Sequence, residues 1–252
     1  WGGGFLGAYG VLDFAGGAVV HVNSGVAGLV ACLVLGKRKG FGRDNMAPHN
    51  LGYTMIGASM LLVGWIGFNA GSEWAADGLA SVAMLNTIVA AMTGAIGWTV
   101  PEWVERKQPT LLGMVSGIVA GLVAITPAAG FVAPGGAMAI GLIGGLVCYV
   151  SATYVKNMFR YDDSLDAFGV HAVGGFTGAL LTAVFADKTI NAAGAGASVL
   201  KQFVGLVVVI AWSAIITFLI LMICKYTTGL RVTDEAEIEG LDQSQHGETL
   251  HG

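Results

Sequence analysis

Two stretches of this 252-residue chain place an acid and an imidazole inside long apolar runs. In the first, Leu12-Asp13-Phe14-Ala15-Gly16-Gly17-Ala18-Val19-Val20-His21-Val22-Asn23 opens a run that continues through Leu35. In the second, Asp166 opens Asp166-Ala167-Phe168-Gly169-Val170-His171, which leads into Ala172-Val173-Gly174-Gly175. An Asp at mid-membrane costs roughly 2.5 to 3.5 kcal/mol on insertion scales, so such groups mark function or a tightly held structure. Burial disfavours imidazolium, so both histidines are expected to be neutral. A neutral pair can share one hydrogen bond, donor to acceptor, and leave its outer nitrogens facing a lumen. That arrangement suits a small polar molecule or a transferred proton better than a hydrated ion. Asp13 has two readings at this point. It either draws a cation to a membrane face or accepts backbone and hydroxyl hydrogen bonds that hold the site together, the glycines at 16 and 17 favouring the second.

The elements that must position these groups are membrane helices. Apolar residues make up 55% of the chain, charged residues 11%, and there are 40 glycines. A soluble domain would need more charge to cover its surface, and the continuous apolar runs do not alternate as barrel strands do. The fold class is therefore an all-α polytopic membrane bundle. Seven spans are expected, at 11–35, 51–71, 79–103, 111–126, 136–156, 166–185 and 199–225, the fourth closed early by Thr126-Pro127. They form a membrane domain over 1–226, followed by a charged tail over 227–252 that is either solvated or docked.

Ten of the twelve basic residues fall on one side of these spans: Lys37, Arg38, Lys39, Arg43, Arg106, Lys107, Lys156, Arg160, Lys225 and Arg231. The positive-inside rule makes that side, and the C-terminus, cytoplasmic. Asp13 then lies near the outer end of its helix, with His21 roughly 12 Å inward; His171 lies roughly 7.5 Å outward of Asp166. Histidines approaching the midplane from opposite sides are what an inverted repeat produces. Gly113, Gly117 and Gly121, and again Gly174 and Gly178, mark close helix contacts. Gly64-Trp65-Ile66-Gly67-Phe68-Asn69-Ala70-Gly71-Ser72 sets an aromatic, an amide and a hydroxyl at the outer end of the second span. An aromatic face there attracts a cation by roughly 0.5 to 2 kcal/mol.

Cys32, Cys148 and Cys224 lie singly, without metal-ligand spacing or a disulfide framework. No metal or cofactor is expected, nor any nucleic-acid partner. One rival reading makes His21 and His171 axial ligands of a haem in a membrane redox protein; another makes the chain a sensor that signals through its tail.

Taken in order, Leu-Asp-Phe-Ala-Gly-Gly at 12–17, Val-Val-His at 19–21, Gly-Lys-Arg at 36–38, Pro-His-Asn-Leu at 48–51, the 64–72 segment, Phe-Gly-Val-His at 168–171, Gly-Leu-Arg-Val at 229–232 and Gly-Leu-Asp at 240–242 resemble the ammonium transporter (Amt/Rh) family, on its bacterial side. The resemblance implies an eleven-helix bundle of inverted five-helix repeats, a homotrimer in the cell inner membrane, and no enzymatic activity. It also implies that the chain starts just before the family's fifth helix. By that resemblance Trp1 and Ser72 belong to an outer ammonium-recruiting site supported by Asp13, Phe68 to a phenylalanine gate, and His21 and His171 to a pore that conducts ammonia. A PII-type signal protein is the implied partner of the tail.

Overall fold

The computed structural model describes residues 3–249. Among them, a short helix α1 (Phe5–Tyr9) leads into an extended strap and then seven apolar helices. These are α2 (Gly17–Leu35), α3 (Leu51–Gly71), α4 (Gly78–Arg106), α5 (Leu111–Ile125), α6 (Pro134–Phe159), α7 (Phe168–Phe185) and α8 (Val199–Thr227). Six are long and apolar enough to span a membrane. The other, α5, has 15 residues, about 22 Å of helix at 1.5 Å per residue. The chain is a multi-pass membrane protein.

The starts are written in capping residues. Asn50, Asp77, Thr110 and Ser198 each accept a backbone N–H from the first turn of α3, α4, α5 and α8, which satisfies donors that have no partner within the helix. The first span begins later than hydropathy suggests, at Gly17 and not at 11. Residues 12–15 instead form a strap pinned by other elements. Gln202 of α8 accepts from the Leu12 N–H and donates to the Leu12 carbonyl, both at 2.7 Å. Phe14 and Ala15 N–H donate to the carbonyls of Pro127 and Thr126. An apolar window cannot register this, because the strap is as apolar as the helix it feeds.

The core lies where α4, α5 and α6 pack together, and α7 joins this group to α2 and α8. Glycine makes the approach possible: a Cβ at Gly121 would stand 2.1 Å from the Ala90 carbonyl oxygen, and one at Gly178 2.0 Å from that of Ala124. At the far end of α5, where Thr126 turns the chain, residues 122–125 are wholly buried. The tail folds back as α9 (Asp234–Glu239). Arg231 donates to the Leu35 and Lys37 carbonyls and pairs with Glu237, while Lys39 pairs with Asp234 at 2.5 Å. Of the two readings of the tail, the described part is docked.

Candidate functional site

Helices α2 and α7 run antiparallel and cross at their first turns. Gly25 of α2 lies against the Ala172 backbone, and Gly175 of α7 against the Gly17 carbonyl, each at a distance that admits no side chain. Both first turns are wide, π-type turns, Gly17–Val22 and Phe168–Ala172, a form that recurs at functional sites. Each carries its histidine, and the two meet with Nδ1 atoms 3.2 Å apart. One Nδ1–H therefore donates and the other Nδ1 accepts, so the pair holds one shared proton and presents one Nε2 as acceptor and the other as donor. Two imidazolium rings would set N–H against N–H. The contact also leaves no space for an iron between the rings, which excludes the haem reading.

Asp13 lies below this meeting point as a helix cap. One carboxylate oxygen accepts from the N–H of Gly16 and Gly17 at 3.1 and 2.6 Å, the other from Ala18 and Val19 at 3.0 and 3.2 Å. The carboxylate neutralises the exposed donors and the positive end of α2 together. The 12 Å helical separation expected from His21 is replaced by a strap that curls back under the helix start.

The counterpart of Asp13 in the second half is Asp163, not Asp166. Asp163 accepts from Ala167 and Phe168 N–H at 2.9 and 2.8 Å and precedes His171 by eight residues, as Asp13 precedes His21. Three residues after each cap the chain turns left-handed, at Gly16 (φ 109) and at Asp166 (φ 55). Four residues after each histidine stands the crossing glycine, Gly25 or Gly175. Asp166 instead pairs with Lys156.

Aromatic rings close one side of His21. Trp65 stacks on it, ring centres 4.9 Å apart and planes within 17°, and Phe68 lies 5.9 Å away. The Trp65 indole Nε1–H donates to Thr126 Oγ1 at 2.9 Å, and Thr126 donates to the Leu122 carbonyl. Trp65 is thus held by α5 and in turn holds the imidazole. His21 is 5% exposed, its Nε2 is buried without a partner, and it borders an open apolar groove of about 480 Å³ lined by Gly57, Met60, Leu61, Gly64, Trp65 and Phe68, of which Met60, Leu61 and Phe68 are exposed.

Ser72 and Asp13 line a separate hollow of about 470 Å³, and the Ser72 hydroxyl donates to the Phe68 carbonyl. Asn69, expected at this mouth, is instead buried between α3 and α4, where its side chain donates to Thr87 Oγ1 at 3.0 Å. Trp1 lies outside the described residues. The structure therefore gathers His21, His171 and Phe68, and sets Ser72 and Asp13 at a second place beyond them. Sequence reasoning passed over Trp65 and Asp163. Trp65 sat in view within 64–72 but reads as a membrane-interface aromatic; the signal for Asp163 was its spacing of eight from His171.

At the opposite end, Arg38 grips Asp162 through a bidentate pair, with oxygens 2.9 and 2.7 Å from its Nε and Nη2, while its backbone N–H donates to the same carboxylate. Burial alone would raise the Asp162 carboxyl, but these hydrogen bonds and the charges of Arg38 and Lys156 together hold it below the ordinary carboxylate range.

A helical membrane bundle in which two antiparallel half-sites meet in a histidine pair, His21 buried and His171 half-buried, has the architecture of membrane proteins built from inverted repeats. The chain belongs to the Ammonium Transporter Family, whose sequence profile matches residues 1–251. It is 49% identical over 260 residues to the ammonium transporter of Bacillus subtilis, covering all of this chain and 63% of that protein. It is likewise 49% identical over 256 residues to that of Aquifex aeolicus, covering 60% of it. A solved Sensor Amt Protein superposes with a TM-score of 0.88 at 32% identity, covering 96% of this chain and 62% of its own. Mep2 of Saccharomyces cerevisiae does so with a TM-score of 0.83 at 35% identity, covering 92% and 57%. The chain thus spans about six tenths of the length of these relatives.

Proposed function

We propose that the full-length protein carries ammonium across the cell inner membrane as neutral ammonia, with no enzymatic turnover. The observation that carries this reading is the His21–His171 hydrogen bond beside an apolar groove, with a buried Nε2 that has no partner. An ammonium ion that sheds its water to pass the buried histidine contact meets too few compensating groups, because desolvating an ion costs several kcal/mol even after relaxation. Ammonia has no such charge. It can donate to the accepting Nε2 or accept from the donating one, which lowers the midpoint barrier. Potassium has no proton to lose and is left with the full desolvation cost.

In this reading Ser72, with Trp1, recruits ammonium in the outer hollow, Asp13 keeps the site in shape by capping α2, and Phe68 gates the passage to the histidines. At that passage ammonium gives its proton to solvent water in the outer hollow, and the ammonia that remains moves on toward the histidines. Residues 1–226 are the membrane domain and 227–252 a cytoplasmic tail, in agreement with the gathering of Arg38, Lys39, Arg160 and Arg231 at one end. A homotrimer is the assembly, and a PII-type signal protein at the docked tail is the regulatory partner.

The test is ammonium flux into proteoliposomes carrying the full-length protein, compared with a His21→Leu/His171→Leu variant whose assembly state is checked in parallel. Selective flux should fall at least about tenfold in the variant while the oligomer persists, the equivalent of losing 1.4 kcal/mol at the barrier. Wild-type vesicles no faster than protein-free ones would overturn the reading. The docked tail also favours a sensing role, which predicts ammonium-dependent changes in tail protection without appreciable flux.

A further inference from the structure

Among the described residues, three charged side chains line the outer hollow: Asp13, Glu73 and Lys201. They are not equally available. The Asp13 carboxylate is occupied on both oxygens by four backbone N–H groups at the start of α2. A carboxylate with its acceptor sites filled in this way adds little to a cation in the hollow, since its field is largely balanced by those dipoles and by the positive helix end. Glu73 differs. Its side chain has no hydrogen bond or ion pair among the described residues, although it is half-buried on the wall of the hollow. Its position is set by the exit turn of α3: the N–H of Ser72, Glu73 and Trp74 donate in sequence to the carbonyls of Asn69, Ala70 and Gly71. Trp74 then takes a left-handed conformation, φ 62, and turns the chain away. Glu73 is therefore held one residue beyond Ser72, on the same rim.

Lys201 supplies the opposite sign. It sits in the first turn of α8, whose N-cap Ser198 accepts its backbone N–H. Its ammonium packs close to Gly10, where an added Cβ would stand 2.9 Å from Nζ. Its ammonium likewise has no ion pair among the described residues, so the hollow holds one uncommitted anion and one uncommitted cation.

We propose that Glu73 is the group that attracts a monovalent cation into the outer hollow, with Lys201 opposing it, while Asp13 acts only to position the helix. Two partly exposed charges of opposite sign on one rim act on an incoming ion in opposite directions and through screened water. They therefore set how much ammonium occupies the mouth and leave the central passage at the histidines unaffected. The inference rests on the transport reading above.

The probe is ammonium chloride, applied to proteoliposomes that carry the full-length protein, at low and at high ionic strength. Glu73→Gln should raise the half-saturating ammonium concentration by roughly threefold to tenfold at low ionic strength, with the maximal rate little changed. Lys201→Gln should lower it, Glu73→Asp should restore most of the wild-type value, and high salt should merge all four curves. Wild-type transport with Glu73→Gln and Lys201→Gln both at the wild-type half-saturation would overturn the role of Glu73. So would a loss of maximal rate in Glu73→Gln without a shift in half-saturation. Absence of wild-type flux would instead sink the transport reading itself, and the two failures are told apart by the wild-type trace alone.

Discussion

His21 is shaped less by its partner histidine than by the ring beneath it. Trp65 lies parallel to the imidazole and is fixed by the Nε1–H bond to Thr126, so the imidazole plane is set by a residue that touches no proton in the proposed path. Trp65→Leu should remove both restraints and lower flux by about tenfold, a 1.4 kcal/mol effect, with assembly intact on a sizing column. Thr126→Val isolates the hydrogen bond. It leaves a buried indole N–H without an acceptor, which costs about 1–3 kcal/mol and should appear as a lower melting temperature in detergent, with a smaller flux defect than Trp65→Leu. Asp13, His21 and His171 were legible in the sequence, since Asp and His inside apolar runs are few and each needs a reason. Trp65 was not, because the same indole at the membrane interface or against an imidazole leaves the same letter, and only the packing of α3 on α5 decides.

At the scale of elements, the starts of α2 and α7 are one device used twice. A capping Asp, a left-handed residue three positions on, a wide turn with a histidine eight positions on and a crossing glycine four beyond recur in both. The sequence showed the relation but paired Asp13 with Asp166, because Asp162-Asp163-Ser164-Leu165-Asp166 offers three acids and spacing from a glycine-rich run does not choose among them. The structure assigns each a separate partner: Arg38 to Asp162, the α7 start to Asp163, Lys156 to Asp166. Asp163→Ala should therefore cost about 0.5–2 kcal/mol through loss of the cap and reduce flux by loosening the turn under His171. Asp162→Ala should leave the histidine geometry unchanged. The glycine ladder gives a sharper contrast. Gly121→Ala drives a methyl group into the Ala90 carbonyl, an overpacking cost of about 1–3 kcal/mol. Gly135→Ala, with nothing within 4 Å of the added carbon, should leave the melting temperature unchanged or slightly raised.

For the whole molecule, hydropathy located the helices well because membrane spans are the strongest signal a sequence carries. It missed the strap over residues 12–15 and could not choose between a loose and a docked tail, since both outcomes depend on particular polar contacts and not on mean apolarity. The docked tail is held by carboxylates, and this makes its release depend on pH in a defined direction. Glu237 accepts from the Lys39 backbone N–H and pairs with Arg231, and these contacts hold its carboxyl below the ordinary range. Asp162, gripped by Arg38 in the loop alongside, is likewise lowered. A carboxyl with a depressed folded-state pKa stabilises fully above its unfolded value, about 4, and loses that contribution as pH falls through the lower folded value. The tail should therefore remain docked from neutral pH down to about pH 5 and come free only below about pH 4. Amide exchange over 229–240 is the direct measurement: protection constant between pH 7 and 5 after correction for intrinsic rates, then falling at stronger acid. Glu237→Gln should remove the acid transition from this segment and lower its protection at neutral pH, because the neutral amide retains the acceptor for Lys39 but not the ion pair with Arg231. If protection in the wild type were instead lost between pH 7 and 6, the clasp would have to depend on a group titrating near neutrality, and the carboxylates could not be what holds the tail against α2.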